Sequence, residues 1–292
     1  MVKFYLLVSI RPDALDFRLL KHANHLEKFH VVINTTDKDL EEDLVHYCID
    51  KGLEFTVTES DGTPATGKNS MLDVFLKSDN EYAVCIDGDD VLTEYGRVFY
   101  TELGEDENPP DLLCLYRQGH IMNAGEQTEL VFPQDKTPTI HYTEDDIYHF
   151  LCMQDEGLGP EQYRKWAKWR DRNNKWMNKF SENNEYMCRM VWFSRKCAEM
   201  TCYDNEITIG EDVVQFLKHK RNAHDGNLRV FRRKDDEQPT YLTYMGGISI
   251  TRPTINPHSW DWLGPFNEKL QIMEDNGEMP KEYRNLPDWK NA

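Results

Sequence analysis

Short apolar runs alternate with amphipathic segments along the first ninety residues. Three of these runs, residues 3–10, 29–34 and 82–86, are typical of strands buried in a parallel sheet, and residues 54–58 are predicted as a further strand. Helical segments separate them, and three successive strand–helix units followed by a strand imply right-handed crossovers. The pattern therefore predicts an α/β, Rossmann-like fold with a mostly parallel sheet and helices on both faces.

The helices follow from apolar residues at three- and four-residue spacing. The first is predicted to begin at Asp13 and to bury one face, made of Leu15, Leu19, Ala23 and Leu26. The second is capped by Asp37 and ended by Gly52, and the third covers residues 68–77. Later strands are predicted over 111–116 and 187–194, and later helices over 160–180 and 210–220. The polar segment from residue 262 onward is predicted to wrap the domain as a tail.

Composition narrows the class of protein. The chain has 292 residues, of which 39% are hydrophobic, so it can bury a sizeable core and is not a disordered tail. No apolar run approaches the roughly 18 residues that a membrane span needs. Seven cysteines without a CxxC pair favour neither a disulfide framework nor a zinc site. These features predict a soluble, cytoplasmic chain.

The strongest chemical signal is the sequence Asp87-Gly88-Asp89-Asp90 at the end of a predicted buried strand. Three carboxylates within four residues repel one another, and a bound hard cation is the simplest compensation. Oxygen ligands of this kind suit Mn²⁺ or Mg²⁺. An acidic surface turn on an acidic protein is the competing interpretation.

Two other known motifs also contain closely spaced aspartates. An EF-hand loop is excluded, because Leu92 stands at the glycine position and Val98 at the last glutamate position. A haloacid-dehalogenase-type phosphatase has a motif that resembles DxDxV/T, in which Asp87 is the nucleophile and Asp89 the acid. Val91 completes that pattern. However, the phosphatase aspartates normally follow the first strand, whereas three strand–helix units precede Asp87.

Two further motifs accompany the acidic strand end. The first is the glycine-bearing loop over residues 62–69, which ends in Gly67-Lys68-Asn69 before the predicted helix and the acidic strand end. The second is Glu211-Asp212, near the start of the later predicted helix. Together with the order of the elements, these motifs resemble the GT-A fold of glycosyltransferases and are most similar to glycosyltransferase family 2, in which an acidic ED motif opens a helix. The resemblance covers about residues 1–220. Lys68 departs from the family pattern, where arginine is commoner.

The resemblance implies a metal-dependent, inverting enzyme that moves a sugar from a nucleotide sugar, with a UDP-sugar favoured, to an acceptor hydroxyl. It implies residues 1–105 as the nucleotide-sugar-binding half, residues 106–262 as the acceptor half and residues 263–292 as the wrapping tail. The implied metal ligands are Asp87, Asp89, Asp90 and a histidine from the C-terminal region, His258, with His224 as a second choice. The implied nucleotide contacts are Ser9, Arg11, Asp37, Lys68 and Asp87.

The resemblance also assigns the acid–base chemistry. Asp212 is the implied general base for the acceptor hydroxyl, and Glu211 orients Asp212 or the acceptor. Simpler structural roles compete with these assignments. Asp37 fits an ordinary helix N-cap equally well. Glu211 and Asp212 are also the residue types that any helix N-terminus stabilises.

The acceptor is suggested by the distribution of charge. The chain has 52 acidic and 34 basic residues and a formal net charge of -18, which at first argues against a polyanionic partner. Two segments are nevertheless basic, residues 163–179, which contain three tryptophans, and residues 218–234. Such segments suit either a glycan or a hydroxymethylated pyrimidine in bacteriophage DNA, in which case the location is the host cytoplasm. They equally suit amphipathic helices, and a non-catalytic nucleic-acid-binding module is the third class of function.

Overall fold

A seven-stranded sheet forms the centre of the protein. The computed structural model describes residues 1–116, 119–124, 127–131, 140–141, 189–207, 210–235, 238–244, 263–282 and 285–289. The sheet contains β1 (Val2–Val8), β2 (Phe29–Ile33), β3 (Glu54–Val57), β4 (Tyr82–Asp87), β6 (Leu112–Tyr116), β10 (Arg189–Ser194) and β11 (Val230–Lys234). Their spatial order is β11-β6-β10-β4-β1-β2-β3. Only β10 in this sheet runs antiparallel to its neighbours.

Helices cover both faces of this sheet. One face packs against α3 (Pro64–Lys77), α5 (Arg195–Glu199), α6 (Glu211–His224) and α7 (Leu263–Asp275), and the other against α1 (Pro12–Leu19), α2 (Lys38–Lys51) and α4 (Glu94–Leu103). Side chains of β1 alternate between the two cores, with Tyr5 on the α3 face and Phe4 and Leu6 on the α1 face. The predicted fold class, an α/β Rossmann-like domain with a mostly parallel sheet, is confirmed.

The local sequence explains where the helices begin and end. The Asp37 carboxylate accepts hydrogen bonds from the backbone N–H groups of Asp39 and Leu40 and so caps α2. Gly52 ends α2 with a positive φ of 65°. Helix α3 begins at Pro64, four residues earlier than predicted, because the Thr63 hydroxyl accepts from the Thr66 N–H.

The predicted first helix is wrong in its second half. The α-helix ends at Leu19 and continues as a 3₁₀ segment, Leu20–Lys28, with a kink at His25. Because the 3₁₀ turn contains fewer residues, the buried face shifts: Ala23 is exposed and His22 is buried. His22 is held in place by a 3.0 Å hydrogen-bond contact between Nε2 and the Leu92 carbonyl oxygen.

A smaller sheet lies next to the end of β4. It contains β5 (Val91–Leu92), β12 (Tyr241–Tyr244), β7 (Gly119–Ala124), β8 (Gln127–Val131) and β9 (Ile140–His141) in that order. Strand β12 pairs with β5, which follows Asp90 directly. This pairing brings a late part of the chain to the acidic turn.

The C-terminal segment contains a helix that the polar pattern did not predict. Helix α7 buries Phe266, Leu270 and Met273 against the core. Residues 285–289 then follow β11, since the Trp289 N–H donates to the Arg232 carbonyl at 2.8 Å. The division at residues 105 and 262 stays a prediction, and the predicted helix over 160–180 lies outside the described residues. No helix in the described part of the chain has the length and apolar character that a membrane crossing requires.

Candidate active site

Three carboxylates meet at the carboxyl end of β4. Carboxylate oxygens of Asp87, Asp89 and Asp90 all lie within 4.8 Å of one another. Between them, the Gly88 N–H donates to the Leu7 carbonyl at 2.7 Å, and a Cβ at Gly88 would lie 2.4 Å from that oxygen. The position therefore requires glycine. The donor set of three hard carboxylates fits a divalent cation such as Mg²⁺ or Mn²⁺. We call residues 87–90 the acidic turn.

Two residues from distant strands stabilise the acidic turn. The Arg189 guanidinium, at the start of β10, forms ion pairs with Asp87 and, at 2.7 Å, with Asp90. The Tyr241 hydroxyl on β12 donates to Asp90 Oδ2 at 2.9 Å and accepts from the Asp87 N–H at 3.0 Å. Neither residue was predicted from the sequence. Arg189 could have been singled out, because it is a charged residue at the start of an otherwise apolar strand.

Arg18 holds the acidic turn from the other side. This buried residue of α1 donates through Nη2 to the Asp89 carbonyl oxygen at 2.7 Å and through Nη1 to the Ala14 carbonyl at 2.7 Å. The backbone of the acidic turn is therefore fastened to α1. The sequence contained no signal for this contact, since Arg18 looks like an ordinary surface residue of an amphipathic helix.

The electrostatic environments of Asp87 and Asp89 differ. Burial opposes the ionisation of Asp87, but the positive charges of Arg189 and Lys68 outweigh it and hold the pKa of Asp87 at about 2. Burial raises the pKa of Asp89, and the neighbouring Asp87 carboxylate raises it further. Negative charge at Asp89 is thus less compensated, and a cation bound there would relieve it.

The predicted ED motif opens α6. Glu211 and Asp212 are its first two residues, preceded by Gly210 with a φ of 91°. A Cβ at Gly210 would lie 2.7 Å from the Phe266 ring, so α7 packs directly against this turn. The Glu211 side chain is 6% exposed, whereas the Asp212 side chain is 45% exposed. Solvent and a substrate can therefore reach Asp212 but not Glu211.

Lys68, which was predicted at the end of a loop but is the fifth residue of α3, connects this helix to the ED motif. Its Nζ lies 2.7 Å from Glu211 Oε1 and 4.0 Å from Asp212 Oδ2. Burial opposes the charge on Lys68, but the carboxylates of Glu211, Asp87 and Asp212 outweigh burial and raise its pKa well above the ordinary value. Lys68 is consequently a fixed positive charge between the acidic turn and the ED motif.

Asn69 adds a second connection between the same two regions. Its amide nitrogen donates to the Tyr203 carbonyl at 2.9 Å, and its amide oxygen accepts from the Tyr203 N–H at 2.8 Å. The Tyr203 ring lies 5.5 Å from Lys68 Nζ. The Lys68-Asn69 pair, singled out in the sequence, therefore fastens the loop before α6 to the start of α3.

The other predicted site residues lie at the periphery or outside the described residues. Ser9 and Arg11 are exposed beyond the end of β1, where Arg11 pairs with Asp13 at 3.2 Å. Asp37 is exposed and serves as the N-cap of α2. His258 lies outside the described residues. His224 is the last residue of α6, about 18 Å along the helix from Asp212.

Comparison with known proteins gives similarities to solved structures alone. No protein-family model and no curated protein matches the sequence. Residues 1–349 of S. aureus TarS, also solved with UDP and with UDP-GlcNAc, are 14% identical over 94% of this chain and 74% of that chain, with a TM-score of 0.49. The mannosyltransferase PcManGT of Pyrobaculum calidifontis, solved with GDP-Man and Mn²⁺, is 11% identical over 94% of this chain and 64% of that chain, with a TM-score of 0.47.

The similar structures differ in length and in the chemistry that their names describe. The chain covers 40% of a longer TarS structure. The inositol-1-phosphate CTP transferase of T. maritima is 10% identical over 91% of this chain and 96% of that chain, with a TM-score of 0.40. A sugar transferase and a nucleotidyl transferase thus both occur among the similar folds.

Proposed function

We propose that the protein is a metal-dependent, inverting glycosyltransferase that uses a nucleotide sugar, with a UDP-sugar as the favoured donor. The observation that carries the proposal is the 2.7 Å ion pair between Lys68 and Glu211, residues 143 positions apart in sequence. It joins the Gly67-Lys68-Asn69 motif, in the first turns of α3, to the ED motif, and the carboxylate of Asp87 in the acidic turn also contributes to the raised pKa of Lys68. The three motifs that resemble the glycosyltransferase family therefore form one electrostatic unit. That unit lies at the carboxyl edge of the sheet, where α/β folds bind ligands.

The donor diphosphate is proposed to bind between the acidic turn and Lys68. Asp89 is the first choice as direct metal ligand, with Asp87 and Asp90 completing the set. A bound Mn²⁺ or Mg²⁺ would supply positive charge to the phosphate oxygens as the sugar leaves. Lys68 adds a fixed positive charge on the same side. Ser9, Arg11 and Asp37 remain the proposed contacts for the base and ribose, and His258 remains a proposed metal ligand.

Asp212 is proposed to deprotonate the acceptor hydroxyl. Its carboxylate is partly exposed, whereas Glu211 is buried and occupied by Lys68. In a single displacement the acceptor oxygen bonds to the anomeric carbon as the bond to the diphosphate oxygen breaks. The proton moves to the Asp212 carboxylate and the nucleoside diphosphate departs. Attack from the face opposite the leaving group inverts the anomeric centre, and Glu211 acts as a positioning residue.

A glycan hydroxyl is the favoured acceptor. Three arginines of the basic segment 218–234 are already paired within the protein: Arg221 with Asp225, Arg232 with Asp288 and Arg233 with Asp235. Pairing of this kind lowers the positive charge available to nucleic-acid phosphates. The other basic segment, 163–179, lies outside the described residues. DNA is therefore not the proposed acceptor, and the experiments below include DNA binding as an alternative result.

The proposal is tested by sugar transfer to acceptor and by donor hydrolysis across a panel of UDP- and GDP-sugars with Mn²⁺. Asp212→Asn is expected to lower kcat by about 10²- to 10⁴-fold while leaving the Kd for the nucleotide unchanged. Asp89→Asn is expected to abolish metal-dependent nucleotide binding. The matched control is Asp39→Asn, since Asp39 is likewise the second residue of a helix, α2, and is exposed.

Three results would contradict this assignment. Full activity of Asp212→Asn would remove its role as the base. A phosphoaspartate trapped at Asp87 would establish the phosphatase instead. Salt-sensitive DNA binding without turnover of any donor would identify a nucleic-acid-binding module.

A further inference from the structure

The guanidinium of Arg189 is ion-paired with the carboxylates of the acidic turn. Arg189 Nη2 lies 2.7 Å from Asp90 Oδ2 and is also hydrogen-bonded to Asp87 Oδ2. A single nitrogen therefore bridges two of the three carboxylates. Asp90 is 2% exposed, and its Oδ2 also accepts from the Tyr241 hydroxyl. The oxygens that Arg189 contacts are the ones that a metal ion bound by the full triad would need.

The remaining carboxylate, Asp89, is in a different situation. Among the described residues no other side chain is hydrogen-bonded to its carboxylate, which accepts from its own backbone N–H, and its backbone carbonyl accepts from Arg18 Nη2 at 2.7 Å. Asp87 and Asp90 are thus ion-paired with Arg189, whereas the Asp89 carboxylate is not. A divalent ion that entered through Asp89 would meet the Arg189 guanidinium within a few ångströms, and like charges at that range repel strongly.

The Arg189 side chain is partly exposed and has a second set of contacts beside the pair. It is the first residue of β10, at the end of the strand, and its side chain is 21% exposed. Its guanidinium lies 5.0 Å from the Tyr241 ring centroid, and the Thr243 hydroxyl is 3.5 Å from Nη1. The Tyr241 ring and the Thr243 hydroxyl of β12 therefore give the guanidinium contacts that do not involve the carboxylates. The planar guanidinium also suits a phosphate group in two-pronged hydrogen bonding.

We propose that Arg189 sets the divalent-cation affinity of the acidic turn by competing with the ion for Asp87 and Asp90. The proposal rests on the proposed function, because it takes the acidic turn as the metal site. Without the ion, Arg189 keeps the carboxylates together. A bound ion would take the place of the guanidinium at the two oxygens, and the displaced guanidinium would be available to the donor diphosphate. Arg189 is therefore a residue that sets the affinity for the ion rather than a metal ligand.

The first test measures Mn²⁺ affinity without nucleotide, from the electron paramagnetic resonance signal of the free ion. Arg189→Met removes the charge and keeps a side chain of intermediate length, and it is expected to lower the Kd for Mn²⁺ about tenfold or more. Arg189→Lys keeps the charge and is expected to stay near the wild-type value. Arg229→Met, which changes an exposed arginine hydrogen-bonded to Asn108, is the matched control. Unchanged or weaker Mn²⁺ binding by Arg189→Met would overturn the proposal.

The second test uses the wild-type protein and does not depend on the folding of a variant. Phenylglyoxal modifies accessible arginines, and peptide mapping by mass spectrometry reports the rate at Arg189. Mn²⁺ is expected to increase this rate severalfold, because the guanidinium is displaced from the carboxylates. An unchanged or slower rate would overturn the competition.

The two tests separate this proposal from the proposed function. If wild type and Arg189→Met bind Mn²⁺ equally well, the competition is wrong and the metal site stands. If neither binds Mn²⁺ while UDP still binds, the metal-dependent part of the proposed function is wrong as well, and the competition fails with it.

Discussion

Replacing Lys68 by methionine tests whether the acidic turn and the ED motif depend on one buried charge. The substitution keeps the length of the side chain approximately and removes only the ammonium group. In the wild-type protein the Lys68 and Glu211 side chains are 12% and 6% exposed. Loss of one partner of such a pair leaves the other as an unpaired buried charge, which costs about 3–5 kcal/mol.

The expected loss in the free energy of unfolding is therefore about 4 kcal/mol, measured by urea denaturation, with a fall in Tm of roughly 8 °C or more. The matched control is Lys38→Met. Lys38 pairs with Glu41 at 2.8 Å, but its side chain is 77% exposed. A surface pair of this kind contributes about 0–1 kcal/mol, so the control is expected to stay within about 0.5 kcal/mol of wild type.

The pH dependence of the loss has a defined sign. Burial, with the adjacent Asp212 carboxylate, raises the pKa of Glu211 against the opposing charge of Lys68, so removal of Lys68 raises it further. A carboxyl with a raised pKa in the folded state destabilises the protein increasingly as pH rises through that pKa. The deficit of Lys68→Met relative to wild type is thus expected to be larger at pH 8 than at pH 5.

A double variant provides the decisive comparison. Glu211→Gln removes the unpaired charge in the Lys68→Met background and is expected to recover at least about 1 kcal/mol, which a double-mutant cycle detects as coupling. If Lys68→Met loses no more stability than Lys38→Met, or if the double variant is simply additive, then the buried ion pair does not join the two motifs energetically.

Three further predictions concern the surroundings of the site. Tyr241→Phe removes the hydroxyl that is hydrogen-bonded to Asp90 and to the Asp87 N–H, and it is expected to lower the free energy of unfolding in urea by about 1–3 kcal/mol. Tyr95 is exposed, so the control Tyr95→Phe is expected to lower it little. Equal losses in the two variants would argue against the Tyr241 contacts. Gly88→Ala is expected to destabilise the protein by about 1–3 kcal/mol or more, because the added Cβ would clash with the Leu7 carbonyl oxygen. Gly264→Ala is the control, since no atom lies within 4 Å of a Cβ at that position. A Gly88→Ala protein as stable as wild type would refute the close approach. Burial lowers the pKa of His219 to about 4. The neutral imidazole therefore contributes up to about 3 kcal/mol to the free energy of unfolding above pH 6.5, and this contribution is lost as the pH falls toward 4. His219→Gln is expected to make the free energy of unfolding less dependent on pH between about 6.5 and about 4, and an unchanged dependence would contradict this.

The repeating units of the fold could be predicted from the sequence because their signals are local. Strands β1 to β4 each combine an apolar run with a turn signal, and helix α2 has a cap at Asp37 and a glycine at its end. The first helix was extended too far, because Ala23 and Leu26 continue the spacing while the chain in fact tightens into a 3₁₀ segment. Helix α7 was missed because, among its residues 264–275, only Phe266, Leu270 and Met273 are buried.

The site could be predicted only in part. Asp87, Asp89 and Asp90 are adjacent in sequence, and the motif at Glu211-Asp212 is contiguous, so both were visible. Their connection through Lys68, and the contacts of Arg189 and Tyr241 with the acidic turn, depend on strand order. An antiparallel strand inserted between β4 and β6 leaves no local mark in a sequence.

The position of β10 has a consequence for how the protein is made. Arg189 follows Asp87 by 102 residues, yet its strand occupies the place beside β4 in the sheet. A nascent chain therefore exposes the β4 edge and three mutually repelling carboxylates until residue 189, and then Tyr241, have left the ribosome. Lys68, in the early half of the chain, supplies part of the positive charge near Asp87, and Arg189, in the late half, adds the ion pairs with Asp87 and Asp90. Truncation before Arg189 removes both this countercharge and the strand that pairs with the β4 edge, so the covering of that edge and the ion pairs at the acidic turn depend on the same late strand.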